Sequence, residues 1–376
     1  EEEGLYGAHA FVKEHPWAKD VGVALNFEAR GAGGPSFMFE TSENNGWLIK
    51  QFIAAAPYPQ ANSLTYALYE LLPNDTDMTE FKKAGMAGLN FAYIGDWNRY
   101  HTMLDSVQNL DRRSLQQDGS YAVAMVRQFG NLDLRWTKGT DATYFNIIGP
   151  FMARYPMRFA LPLALVAAAL FLVMLIIGFK RGRVRIGGMI LGLISSLVTI
   201  ALAFAIGTAV WWALKKIHPY YSKAPWGDPY NGTLYLAAFA GLTIAASVVI
   251  YHWCGKRANV ESLASGAAIC WLVVSVASAI YLPGGSFIFV WPFLFATFGL
   301  MFLLMRPAGS EGSLLSAVVL CLSAAPTVIL LSPLVSSLYL LTSLNLAGGL
   351  VIVVALMLAL LVPQMSLIME AFPRGF

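Results

Sequence analysis

The feature that most constrains this fold is a series of long apolar runs that fills the chain from about residue 160 onward. Each run has about 20 residues, the length that an α-helix needs to cross the hydrocarbon core of a bilayer. Backbone groups in lipid must be hydrogen-bonded within the protein, which favours helices. We predict about seven membrane spans, at residues 160–179, 188–214, 233–254, 267–282, 286–305, 314–332 and 346–367.

Charged residues are distributed unevenly between the two parts of the chain. Residues 1–158 hold 14 Lys and Arg against 18 Asp and Glu, a net charge of −4, whereas residues 159–376 hold 11 against 4, a net charge of +7. The overall charge of +3 is therefore an average and indicates no partner. The polar part has no basic face or RNA-binding motif, so we expect no nucleic-acid partner. It also has no Cys, which excludes a disulfide or a thiolate zinc site there.

Positive charge also predicts the orientation in the membrane. The first loop between spans, residues 180–185 (KRGRVR), is strongly basic and should be cytoplasmic. Alternate loops then place Lys256, Arg257, Arg306 and Arg374 on the same side. The polar part is therefore expected on the periplasmic, extracellular or luminal side.

The first 150 residues alternate short apolar strands with helical segments. Strand candidates lie at residues 21–29, 36–40 and 88–94, and helix candidates at residues 2–14, 45–56, 81–84 and 114–129. Alternation of this kind predicts an α/β domain over residues 1–150, followed by an all-α transmembrane domain over residues 151–376. Such α/β folds bind ligands beyond the carboxyl ends of their strands.

The carboxylates at the start of the chain and at the end of the first strand can each be interpreted in two ways. Glu1, Glu2 and Glu3 precede a helical pattern, where an acidic first turn is favoured by the helix dipole. Glu28 ends an otherwise apolar strand, where an unpaired charge is costly. Its ordinary partner would be Arg30 or a backbone amide. The carboxylates at residues 1–3 and at Glu28 could also bind a metal ion.

A histidine follows the strand at 88–94. His101 lies in YHTMLDS, and on a helix Asp105 would be one turn away, close enough to orient the imidazole. The alternative is a surface His on a loop. Asp77, in NDTDMTEF, is either a helix-cap residue or a neighbour of the site. Carboxylate oxygens with one imidazole nitrogen form a ligand set for Zn²⁺, which predicts a hydrolase.

Taken in order, EEEGLYGAHAF, NFEARGAGG, NDTDMTEF and YHTMLDS resemble the zinc exopeptidases of the aminopeptidase Y type. The resemblance is strongest to the membrane-embedded branch, the endoplasmic reticulum metallopeptidases and vacuolar membrane proteases. It covers roughly residues 1–135 and implies a partial zinc-exopeptidase-like α/β domain with a mixed sheet flanked by helices.

The resemblance also implies roles for individual residues. Glu1 would be the general base and Glu2 a zinc ligand, and a shift of these roles to Glu2 and Glu3 stays open. Glu28 would bind the other zinc and His101 would be the last ligand. Asp77 would lie beside the ligands, and the spacing to His101 gives Asp105 a similar supporting role. Two zinc ions would act on a peptide substrate.

In this family the first ligand His and a bridging Asp precede the Glu pair, whereas here the sequence opens at Glu1. We therefore expect an N-terminally truncated fragment that binds zinc poorly by itself, lacks peptidase activity and exposes an open sheet edge. Full activity is expected of the parent protein.

Two other functions fit parts of this pattern. A transporter or sensor with a peptidase-like extramembrane domain would use the spans, yet the predicted spans contain no Asp, Glu, Lys or Arg of the kind that ion-coupled carriers keep at membrane depth. A glutaminyl-cyclase-like enzyme would share the fold and the ligands.

Overall fold

A computed structural model describes residues 4–70, 74–223, 228–307 and 314–371 of the chain, with side chains up to residue 366. The chain divides into two compact units. The first comprises Glu1–Ala160 with Leu282–Gly285, and the second comprises Leu161–Tyr281 with Ser286–Phe376.

The first unit contains five strands and five α-helices within its described residues. The strands are β1 Val23–Ala29, β2 Gly33–Thr41, β3 Ala87–Gly95, β4 Ala142–Ile148 and β5 Phe151–Pro156. The helices are α1 Tyr6–Glu14, α2 Gly46–Ala55, α3 Ser63–Tyr69, α4 Asp77–Lys83 and α5 Arg112–Gly130. Helix α3 and the β4–β5 hairpin were not predicted from the sequence. At seven residues, α3 is too short to show a helical repeat in the sequence.

The three predicted strands form one mixed sheet in the order β1-β3-β2. Strand β3 lies in the centre, parallel to β1 and antiparallel to β2. This arrangement confirms the predicted fold class, a mixed sheet with helices followed by a helical membrane part. Within the described residues, β1 forms one edge of this sheet.

The two faces of the sheet differ because side chains alternate along each strand. On one face Phe27 stacks on Phe91 at 4.8 Å between ring centroids, and Phe91 in turn contacts Phe52 of α2 and Tyr121 of α5. These rings belong to the main apolar core of the unit. The opposite face carries polar side chains, and α4 packs against it.

A glycine permits that packing. Met78 of α4 is fully buried, and a Cβ at Gly88 of β3 would overlap the Met78 side chain. Gly88 therefore allows α4 to approach the sheet closely, which brings the start of α4 next to the polar face.

The second unit consists of long apolar helices. They are α6 Ala160–Lys180, α7 Ile186–Ile217, α8 Gly232–Gly255, α9 Val260–Tyr281, α10 Phe287–Met305, α11 Leu314–Thr342, α12 Ala347–Leu360 and α13 Val362–Ala371.

Within the described residues, six segments are long and apolar enough to cross a membrane. They are Met157–Lys180, Ile186–Ile217, Gly232–Gly255, Val260–Tyr281, Phe287–Met305 and Leu314–Leu360. The last has 47 residues and joins α11 to α12 through a 3₁₀ turn at Ser343–Leu346. The run predicted as a seventh span, 346–367, forms the two shorter helices α12 and α13.

An ion pair lies at the start of α9. This helix begins seven residues before the predicted span, so that Glu261 lies in its first turn. Arg183 binds Glu261 and also donates hydrogen bonds to the carbonyl oxygens of Leu303 and Arg306, at 2.8 and 3.0 Å. One guanidinium therefore satisfies terminal carbonyls of α10 and the carboxylate of α9 together.

Helices α7 and α9 pack through glycines. A Cβ at Gly192 of α7 would overlap the carbonyl oxygen of Leu263, and a Cβ at Gly266 of α9 would overlap that of Met189. The two backbones therefore lie too close for a side chain at either position, as at small-residue interfaces between membrane helices.

We expect Gly192→Ala and Gly266→Ala each to lower the free energy of unfolding of the helical unit by about 1–3 kcal/mol, because each forces the two backbones apart. Gly241→Ala in α8 is the matched control, since no atom lies within 4 Å of its added Cβ. The melting temperature in detergent should fall for the first two variants and stay constant or rise slightly for the control. Equal melting temperatures for all three would contradict the packing.

Candidate active site

The predicted ligands Glu28 and His101 both lie at the carboxyl edge of the parallel pair β1–β3. Glu28 is the penultimate residue of β1 and is paired with Ala92 in register. Strand β3 ends at Gly95, six residues before His101. Because the two strands run in the same direction, their carboxyl ends lie side by side. The structure therefore brings these two segments to one edge of the sheet.

The loop that carries His101 is fixed at both ends beside the turn that follows Glu28. At its start, the Ala32 amide donates to the carbonyl oxygen of Gly95 at 3.1 Å. At its end, the Asp111 amide donates to the carbonyl oxygen of Ala32 at 2.7 Å. A Cβ at Gly31 would overlap the Gly95 carbonyl oxygen, so a glycine is needed for this close approach. Residues 96–111 are thereby anchored at both ends to the turn that follows Glu28.

The backbone at His101 is in the left-handed region, with φ of 56°. Its ring is exposed and stacks on Tyr100 at 3.8 Å between centroids. Residues 101–104 form turns and a bend, and the Asp105 amide donates to the carbonyl oxygen of Thr102. The helical spacing that we assumed for His101 and Asp105 is therefore wrong, because a left-handed residue interrupts it. The role of Asp105 stays a prediction.

Asp77 is the first residue of α4, directly after the N-cap Thr76. Thr76 and Thr79 form a capping box, and a carboxylate in the first turn is favoured by the helix dipole. The helix-cap interpretation of Asp77 is therefore wrong by one residue, since Thr76 is the cap, and the part of Asp77 in a metal site stays a prediction.

Glu1 and Glu2, the predicted base and ligand, lie outside the described residues. Among the residues that the structure describes, no group of three or more His, Cys, Asp or Glu side chains could hold a metal ion. The two described donors, the Glu28 carboxylate and the His101 imidazole, are of the kinds that zinc takes. They fit a zinc site in their chemistry.

A row of polar side chains crosses the sheet next to Glu28, and it was not predicted from the sequence. Asn26, Asn90 and Glu40 face one another across β1, β3 and β2 in register. The Asn26 Nδ2 donates to Glu28 Oε1 and to Asn90 Oδ1, both at 3.0 Å. The Asn90 Nδ2 donates to Glu40 Oε2 at 2.8 Å and to Thr76 Oγ1 at 2.9 Å. The sequence signal was an Asn inside each of two apolar strands.

Lys82 of α4 completes this row. Glu40 is only 2% exposed, and its Oε1 accepts a hydrogen bond from Lys82 Nζ at 3.0 Å. Burial lowers the pKa of Lys82, but the charge of Glu40 and the hydrogen bonds to Glu40 and Glu70 outweigh it, so that the pKa lies above its ordinary value. The ammonium thus compensates a carboxylate that would otherwise be buried without a counter-charge.

We expect Lys82→Met to lower the free energy of unfolding by about 3 kcal/mol, because it leaves Glu40 buried and unpaired. Lys83→Met is the matched control, since Lys83 is exposed and binds Glu80 at the surface. Such surface pairs contribute little, so the control should unfold like the parent. Chemical unfolding of both variants measures the difference. Equal loss in both would contradict the buried pair.

The contribution of Lys82 should also depend on pH. Its pKa is raised above the ordinary 10.5, so the stabilisation is fully present below that pH and is lost as pH rises through the folded-state pKa. We therefore expect the parent and Lys82→Met to converge in stability above pH 10.5. Unfolding curves at neutral and alkaline pH test this. A constant difference would contradict it.

Comparison with known proteins gives one family match and several similar relatives. The sequence model of peptidase family M28 matches residues 1–126. Endoplasmic reticulum metallopeptidase 1 of Homo sapiens is 29% identical over 166 residues, which cover 42% of this chain and 18% of the human protein. The vacuolar membrane protease of Candida albicans is 32% identical over 218 residues, 56% of this chain and 24% of the yeast protein.

A putative endoplasmic reticulum metallopeptidase 1-A of Caenorhabditis elegans is 32% identical over 130 residues, 34% of this chain and 14% of that protein. The matched region therefore spans less than a quarter of the length of each of these relatives. No solved structure matches the chain significantly.

Residues 1–126 contain Glu28, His101 and the row beneath them, so the site lies inside the matched region. The resemblance inferred from the four motifs is confirmed: the polar unit of this chain is similar to peptidase family M28 and to membrane proteases of the endoplasmic reticulum and the vacuole.

Proposed function

We propose that the protein containing this chain is a membrane-anchored di-zinc exopeptidase that acts as an aminopeptidase. The observation that carries the proposal is the placement of Glu28 and His101 at one sheet edge within the region that matches peptidase family M28. The substrate would be a peptide. The six apolar segments would hold the enzyme in membrane lipid.

Each proposed ligand has a structural or sequence reason. Glu28 and His101, with Glu2, would hold zinc through carboxylate oxygens and an imidazole nitrogen. When bound, zinc supplies a Lewis acid that polarises the peptide carbonyl and makes water more acidic. Glu1 would accept the proton from the attacking water and pass it to the leaving amine.

The structure also accounts for solvent access to His101 and for the fixed position of Glu28. His101 is exposed on a loop whose two ends are tied to the turn after Glu28, so a peptide can reach it from solvent. Glu28 is half-buried and bound to Asn26. A fixed carboxylate and an accessible imidazole suit an edge where substrate enters.

We expect the protein in its natural length to release coumarin from aminoacyl-coumarin substrates and to lose this activity with a zinc chelator. Glu28→Gln and His101→Asn should lower kcat/KM by more than about 100-fold, beyond the effect of changing a neighbour of a ligand. His9→Asn is the matched control, because His9 is exposed and binds Glu80 on the surface. Its activity should equal that of the parent.

Unchanged activity in the Glu28 and His101 variants would overturn the ligand assignment. Turnover of N-terminal Gln substrates to pyroglutamate, without release of amino acids, would instead identify a cyclase on the same fold.

We propose that the peptidase unit faces the non-cytoplasmic side, as the basic loop at 180–185 implies. On a background without the three native Cys, Arg113→Cys and Lys256→Cys report the two sides, since both positions are exposed. A membrane-impermeant maleimide applied from the non-cytoplasmic side should label position 113 and not position 256. The reverse pattern would overturn the orientation.

A further inference from the structure

We propose that Asn26 is a positioning residue for the metal ligand Glu28, and that the buried row behind it fixes the direction of its amide. The inference rests on the proposed function, since it concerns the same zinc site. None of the four sequence motifs assigns Asn26 a role, and its importance follows from contacts in the sheet.

The first step is geometric. Asn26 and Glu28 are two residues apart on β1, so both side chains project from the same face. The Asn26 amide has two protons, and its Nδ2 lies 3.0 Å from Glu28 Oε1 and 3.0 Å from Asn90 Oδ1. Both donor positions are therefore used, one toward the ligand and one toward the interior of the sheet.

The second step is the direction of the hydrogen bonds. Asn90 is fully buried, and its Nδ2 donates to Glu40 and Thr76. Its Oδ1 therefore points toward Asn26 and can only accept a proton there. A rotated Asn26 amide would place oxygen against oxygen at Asn90, and again at Glu28. The charge of Glu40, held by Lys82, thus determines which end of Asn26 faces the ligand.

The third step concerns the carboxylate itself. With Oε1 held by Asn26, rotation of the Glu28 carboxylate is restricted. Hydrogen bonds to a ligating carboxylate orient it before the metal binds, and their loss typically weakens metal affinity about 10- to 100-fold. Asn26 would therefore act on metal affinity without touching the metal or the substrate.

Two substitutions test this in the protein at its natural length. Asn26→Ala removes both donors, and Asn26→Ser leaves room for water at Asn90 while being too short to hold Glu28. Asn131→Ala is the matched control, because Asn131 makes one comparable side-chain hydrogen bond, to the Arg127 carbonyl oxygen, at an exposed helix end. The zinc dissociation constant is measured by chelator competition, and the melting temperature is measured on the metal-free protein.

We expect zinc binding to weaken about 10- to 100-fold in both Asn26 variants and to be unchanged in the control. A lower metal-free melting temperature with an unchanged zinc dissociation constant would show a structural role and overturn the inference, as would failure of both variants to fold. If the parent itself binds no zinc, the proposed function fails, whatever the Asn26 variants do.

Discussion

A buried carboxylate is stable only when a positive charge lies beside it, and in the peptidase-like unit this requirement applies to Glu40. It is nearly inaccessible to solvent and lies on the polar face of the sheet. Lys82 of α4 supplies the positive charge, which requires α4 to lie close to that face, and Gly88 makes the close approach possible. Because Glu40 is charged and only accepts, the Asn90 amide donates to it and accepts from Asn26. The edge that holds Glu28 is thus organised from within the sheet.

The membrane-spanning unit obeys the same physical requirement by other means. Glu261 and Arg183 are paired at the ends of helices, where the guanidinium also binds carbonyl groups at the end of α10. Deeper in the bundle, close backbone contact between α7 and α9 replaces charge, through glycines on both helices. The ion pair thus lies where helices end, whereas the contact between α7 and α9 depends on the fit of their backbones.

The sequence predicted the parts of the fold that have a local signal. Strands β1 and β3 are apolar runs of the right length, and the membrane helices are long enough to be unmistakable. Helix α3 and the β4–β5 hairpin were missed because short elements carry little periodic information. The family resemblance and the sheet edge to which the segments of Glu28 and His101 lead were also available from the sequence, through motif order and strand ends.

The polar row could not be predicted, because it depends on strand register. Asn26 and Asn90 are 64 residues apart and Asn90 and Glu40 are 50 apart, and only the pairing of three strands makes them neighbours. The local geometry of His101 was equally hidden, since four-residue spacing implies a helix only when the backbone is helical. Glu1 and Glu2 lie outside the described residues, and their roles stay proposals.

The positive φ at position 101 restricts which amino acids can occupy it. Left-handed backbone is tolerated by Gly and, among other residues, chiefly by Asn, Asp and His, whereas β-branched and bulky side chains are strained there. Of these, only Asp and His bear strong zinc donors. The main chain of this loop thus restricts position 101 to a few residue types, and replacing the proposed ligand by Glu or Cys would first require rebuilding the turn.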